Sequence, residues 1–95
     1  MAFVSMSRWR LGEGFDDAAL AEAAGTYIGA LKDLGAESAK MVRMSPTDGL
    51  LFAVYPTAEA RDAARPREQE MQKERMSELP VELVEEMAGP VITEG

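Results

Sequence analysis

Leu50-Leu51-Phe52-Ala53-Val54-Tyr55 is apolar at every position, preceded by the turn signature Pro46-Thr47-Asp48-Gly49 and closed by Pro56. Successive strand residues point to opposite sides, so a run apolar at both parities is apolar on both faces. Such a strand belongs in the middle of a sheet covered on both sides. The remaining elements have to be arranged around it.

Phe3 to Leu11 reads as a strand, with Val4, Met6, Arg8 and Arg10 on one side and Phe3, Ser5, Ser7, Trp9 and Leu11 on the other. After the turn Gly12-Glu13-Gly14, Asp16 or Asp17 can cap a helix, since a short acceptor satisfies free N–H groups at its positive end. Leu20, Ala24, Tyr27, Leu31 and Leu34 form one apolar stripe along that helix, and Gly35 sits where a left-handed cap would end it. Gly25 and Gly29 lie off the stripe and read as a surface defect costing about 1 kcal/mol each. Glu37 to Ser45 is a second strand. Thr57 can cap a second helix, which Pro66 is expected to kink or restart. From Arg67 to Leu79 only Met71, Met76 and Leu79 are available for burial, which predicts an exposed helix. Val81 to Ile92 is the last strand, and its Gly89-Pro90 implies a bulge or an edge position.

Strand, helix, strand, strand, helix, strand is the order of a ferredoxin-like α+β fold: one domain over residues 1–95, with a four-stranded antiparallel sheet and both helices on one face. The helices cover one face only, yet the central strand is apolar on both. A large open apolar face is unusual on a monomer, so two sheets are expected to pack together in a two-fold homodimer. Which face meets the helices is left open; an aspartate at Leu51 or Ala53 is the corresponding test of the dimer.

The pattern resembles the dimeric α+β barrel superfamily, and within it the antibiotic biosynthesis monooxygenase-like group. The residues that carry the likeness are Phe3-Val4-Ser5-Met6-Ser7-Arg8-Trp9-Arg10-Leu11, then Gly49 through Tyr55 leading into Thr57-Ala58-Glu59-Ala60, and the closing strand ending at Ile92. The resemblance implies a dimeric barrel. It also brings in cofactor-independent oxygenases of phenolic or quinol substrates, haem-degrading enzymes and dismutases. This chain has neither His nor Asn, which argues against handling haem.

Composition narrows the chemistry further. No Cys and no His means no disulfide framework, no zinc knuckle, no thiol nucleophile and no His-centred triad. No cofactor or metal is expected. Seventeen acids against 10 bases leave a net charge of −7, unsuited to nucleic acid. Arg8, Arg10, Lys40 and Arg43 make at most a small basic patch. Glu70, Glu74 and Glu78 read as a solvated helix face, and the methionines as core and interface filler. The start of the chain shows no basic n-region leading into an apolar segment, and the longest apolar run is far too short to span a bilayer, so the expectation is a cytoplasmic protein without membrane contact.

Trp9, Arg43 and Tyr55 are the candidate ligand-pocket residues. On aligned faces they share a side with Ser5, Ser7, Met41 and Ala53, which would give a planar anionic ligand aromatic walls, an oxyanion partner and a donor. The plainer and preferred reading makes Trp9 and Tyr55 dimer-interface aromatics, with Arg43 paired to Glu85 or Glu37. Tyr27 reads as core. The leading functional expectation is a small homodimer binding an aromatic or apolar metabolite. The alternatives are a cofactor-independent monooxygenase of a phenolic substrate and a dimerising scaffold that recruits a partner through its charged Arg67–Leu79 helix.

Overall fold

A computed structural model describes residues 1–95. Its elements are β1 (Phe3–Leu11), α1 (Asp17–Asp33), β2 (Ser38–Ser45), β3 (Asp48–Tyr55), α2 (Ala58–Glu78) and β4 (Val81–Pro90). The strands form one antiparallel sheet in the order β2-β3-β1-β4, so the continuous apolar run lies in a central strand as its composition requires.

The caps work as short acceptor side chains should. Asp16 Oδ1 accepts from the Ala19 amide at 2.8 Å, and Thr57 Oγ1 accepts from the Ala60 amide at 3.1 Å. Gly35 follows α1 with φ +116°, a backbone that a residue with a Cβ adopts only under strain. Gly12 serves a different purpose: a Cβ there would lie 2.7 Å from the Pro80 carbonyl oxygen, so its bare backbone lets β1 meet the α2–β4 connection. Gly25 and Gly29 are exposed, and a Cβ at either would meet no atom within 4 Å. Replacing both with alanine is therefore expected to stabilise the protein by about 2 kcal/mol, because only the helix-propensity difference of about 1 kcal/mol per site changes. Thermal unfolding should register this as a rise of several degrees; an unchanged or lower midpoint would show that the glycines make a contact after all.

Both helices pack on the sheet face carrying Ser5, Ser7, Trp9, Leu11, Leu51, Ala53 and Tyr55, where the core also takes in Leu20, Tyr27, Leu31 and Met71. The register joins Trp9 to Gly49, Ser7 to Leu51 and Ser5 to Ala53, so the expected face-sharing holds. It also redirects one test. Leu51 and Ala53 are core residues at 3% and 1% exposure, and an aspartate at either would unfold the chain rather than probe an interface.

Several expectations need correction. α2 continues through Pro66 without restarting. A proline inside a helix costs roughly 3 kcal/mol, and the helix is held to the sheet on both sides of it, through Ala64 before and Glu68, Met71 and Gln72 after. The face predicted to be almost wholly exposed thus buries a carboxylate and an amide, while Met76 stays outside. β4 is an edge strand, in keeping with Gly89-Pro90, but it ends at Pro90 and its register shift falls opposite Arg8/Trp9. The basic patch is divided. Arg43 lies on the helix side, whereas Arg8, Arg10 and Lys40 share the open face, where Arg10 sits 3.9 Å from Glu82.

The open face has an organised composition. Val4, Met6, Leu50, Phe52 and Val54 occupy its middle in mutual register, uncovered by any element of the chain. Val42 and Met87 extend the apolar area at 40% and 50% exposure, and Arg8, Arg10, Lys40, Glu82 and Glu85 surround it.

Candidate functional site

Two neighbouring environments lie between the sheet and the helices. The first is an apolar cleft. Trp9 and Leu11 of β1, Leu51 of β3 and Met41 of β2 form its floor. Leu20, Ala23, Ala24 and Tyr27 of α1 make one wall. Phe15, Leu79 and Val81 complete it from the β1–α1 loop and the end of α2 into β4, with Arg75 as the single charged side chain. The Trp9 and Tyr27 rings meet edge to face, centroids 6.2 Å apart at 74°, the arrangement their quadrupoles favour. Trp9 Nε1 donates to Ser7 Oγ at 2.9 Å, which satisfies the indole inside the core. The cleft leaves about 40 Å³ for the centres of water-sized molecules. Since about 10–15 Å³ admits one water, a ligand larger than a few waters must displace Phe15 or Leu79, which come from the connections rather than the packed sheet.

The second environment is a partly buried polar cluster beside it, in which Glu68 and Gln72 are enclosed. Arg65 donates to Glu68 Oε1 at 2.7 Å and to both oxygens of Glu86, the bidentate form that matches a planar guanidinium to a carboxylate. Gln72 Nε2 donates to Glu86 Oε1 at 2.6 Å. The Arg65 hydrogen bonds and charge, helped by Gln72, hold the Glu86 carboxyl below its ordinary range although partial burial opposes this. Tyr27 reaches between the two environments. Burial first, and then the Glu68 charge, push its phenol well above the ordinary value; Tyr55 is raised in the same way. Neither hydroxyl makes a close hydrogen bond within the protein, although the Gln72 side chain beside Tyr27 offsets part of its rise. Both therefore remain neutral phenols rather than bases at physiological pH.

Of the residues anticipated from sequence, the structure brings Trp9 to the cleft and leaves the other two elsewhere. Tyr55 is buried next to the polar cluster at 1% exposure, so it is a core aromatic and, with Trp9, no interface residue. Arg43 pairs with neither Glu85 nor Glu37. It donates to Asp17 Oδ1 at 2.7 Å, to the Phe15 carbonyl at 2.6 Å and to the Pro46 carbonyl at 3.0 Å, tying the start of α1 and the β1–α1 loop to the β2–β3 hairpin. With those bonds made, it is a clamp. Arg75 was missed by sequence reasoning, yet its signal is present: 64, 68, 71, 75 and 79 are spaced by three or four, so Arg75 falls on the buried stripe of α2. The acidic run further out is matched by cations. Arg67 contacts Glu70 at 3.2 Å and Glu74 at 3.0 Å, and Arg75 sits 3.6 Å from Glu78.

No protein-family model matches the chain, and no curated protein matches it in sequence. Solved structures do match it in three dimensions. The structure of Rv0793 from Mycobacterium tuberculosis superposes with a TM-score of 0.69 at 14% identity, covering 99% of this chain and 98% of the other. A dimeric ferredoxin-like protein from an uncultured marine organism superposes with a TM-score of 0.61 at 12% identity, over the same shares of each chain. The fold is ferredoxin-like. At such identities the likeness speaks for the architecture and leaves the chemistry to this chain's own residues. No helix of the chain is long and apolar enough to cross a membrane.

Proposed function

We propose that this chain is a cytoplasmic homodimer of the dimeric α+β barrel type that binds a small aromatic or apolar metabolite in the cleft between its sheet and helices. The observation that carries the binding reading is the cleft itself, an almost entirely apolar cavity with two aromatic rings in its walls. Ligand sites are mostly apolar concavities with a few placed polar groups. The dimer is supported by the open sheet face, apolar in the middle and charged around the edge, which is the composition of a protein interface. A structural neighbour described as dimeric points the same way. The resemblance to antibiotic biosynthesis monooxygenase-like proteins belongs to this reading as well.

A second reading, a cofactor-independent monooxygenase of a phenolic or quinol substrate, is favoured by the dryness of the same cleft. Such chemistry asks the protein to exclude water while the substrate supplies the electrons. The cleft offers no carboxylate to act as base, and for that reason binding is the primary proposal.

Native mass spectrometry under gentle ionisation, followed by denaturation of the same sample, tests the proposal. The expected species is a two-chain assembly carrying a small extra mass that disappears on denaturation. A monomer would overturn the dimer. A dimer that takes up none of a broad panel of small aromatic compounds would overturn the binding reading. Oxygen uptake with hydroquinones and catechols, lost in Trp9→Phe, would move the weight to the enzyme.

A further inference from the structure

Arg75 is the one charged side chain lining an otherwise apolar cleft, and it stands where the cleft adjoins a shallow outer depression that it lines as well. It stands on the inner stripe of α2, four residues after Met71 and four before Leu79. Its side chain is three-quarters buried, and its Nε is enclosed with no hydrogen-bond partner. The nearest carboxylate, Glu78, lies 3.6 Å from Nη1 on the exposed side of the same helix, an ion pair without a hydrogen bond. The contrast with the other inward arginines is informative. Arg65 is engaged by Glu68 and Glu86, and Arg43 by Asp17 and two carbonyls; Arg61 has an enclosed, unpaired Nε as well, but it does not line the cleft. A buried guanidinium N–H left unpaired costs free energy, and the Nε edge of arginine is shaped to receive a carboxylate.

We propose that the cleft is selective for a small amphiphilic monoanion, with its apolar or aromatic body against Trp9 and Tyr27 and its single oxyanion on Arg75. This rests on the cleft being a binding site and deepens that reading by naming the ligand class. The surroundings also set an upper limit on charge. Glu13 and Glu22 line the shallow depression that continues outward past Arg75, and the chain as a whole carries −7. A ligand with several negative charges meets those carboxylates, whereas a single carboxylate seated on the guanidinium does not extend to them.

The test is a binding titration of the full chain, followed by amide chemical shifts, with phenylacetate and with its uncharged isostere phenylacetamide. Phenylacetate is expected to bind at least tenfold more tightly. That preference should disappear in Arg75→Gln while phenylacetamide binding is kept, and it should survive in Arg67→Gln, which removes an exposed arginine of the same helix. Equal affinity of the two probes for the unaltered protein would overturn the anion preference and leave the cleft as an apolar site. A preference retained in Arg75→Gln would overturn the role of Arg75. Failure of both probes to shift any cleft resonance would overturn the binding reading itself, so the two proposals fail in distinguishable ways.

Discussion

Phe52→Asp is expected to convert the proposed dimer into folded monomers. Phe52 stands in the middle of the open sheet face, opposite Met6 on one side and Lys40 on the other. In a two-fold interface every substitution occurs twice. Phe52 is already partly buried within one chain, so its remaining surface contributes only part of a full burial, but an unpaired carboxylate enclosed in its place costs at least about 2 kcal/mol. Two copies therefore weaken association by at least about a thousandfold, since each 1.4 kcal/mol is a factor of ten. Sedimentation velocity in the micromolar range should show the loss directly. The far-ultraviolet circular dichroism should be retained, because Trp9, Leu31, Leu51 and Tyr55 lie on the other side of the sheet. Leu51→Asp, one residue away, is expected to abolish folding instead, and that parity difference is the sharpest check on the face assignment. A Phe52→Asp protein that stays dimeric with an unchanged melting profile would remove the open face from the interface.

The fold was legible because its strongest signals are local and redundant. A strand apolar on both faces cannot lie at a solvated edge, two acceptor residues precede two helices, and Gly35 has the conformational freedom that the end of α1 uses. Alternation in Phe3–Leu11 correctly grouped Ser5, Ser7 and Trp9 with Met41, Ala53 and Tyr55. It could not say which side the helices take, because Leu50, Phe52 and Val54 are as apolar as Leu51, Ala53 and Tyr55. The deciding feature is nonlocal: the stripe of α1 that carries Leu20, Tyr27 and Leu31 needs an apolar surface without Arg8 and Arg10 in its path.

The site was less legible, and the reason lies in side chains whose partners are distant in sequence. Arg43 looked like a ligand group because it shares a face with Trp9; its bonds to Asp17 and the Phe15 carbonyl depend on how the β1–α1 loop returns over β2. Polar residues in the second half of α2 read as a solvated helix since hydropathy counts type and ignores pairing. Glu68 is buried beside Arg65, one turn earlier, whose guanidinium supplies the opposite charge and is itself anchored to the sheet by Glu86 of β4. Neither Pro66 nor the acidic composition prevents this once the helix is docked.

Arg65→Gln is expected to be the most destabilising polar substitution in the chain, at about 2–3 kcal/mol, below the roughly 3–5 kcal/mol found for fully buried ion pairs because Arg65 and Glu86 stay about a quarter exposed. A substantial share of a small domain's stability, about 5–15 kcal/mol in all, is then at risk, and urea unfolding of the purified variant measures it. The cost arises from Glu68, whose side chain is 7% exposed and would lose its counter-ion. Adding Glu68→Gln to Arg65→Gln should consequently recover part of the loss, since replacing both members of a buried pair costs less than stranding one. Acid titration separates the electrostatic part from packing. The folded-state carboxyl of Glu86 is held below its ordinary value of 4.5, chiefly by the Arg65 hydrogen bonds. A depressed folded value means that its stabilisation is complete above the unfolded value and is lost as pH falls through the folded one. The unaltered protein should thus weaken as pH drops below about 4.5, and this slope should flatten in both Arg65→Gln and Glu86→Gln. An acid slope that persists undiminished in both variants would assign the acid sensitivity to carboxylates outside the cluster. A loss of less than 1 kcal/mol in Arg65→Gln at neutral pH would mean that water, not Arg65, compensates Glu68.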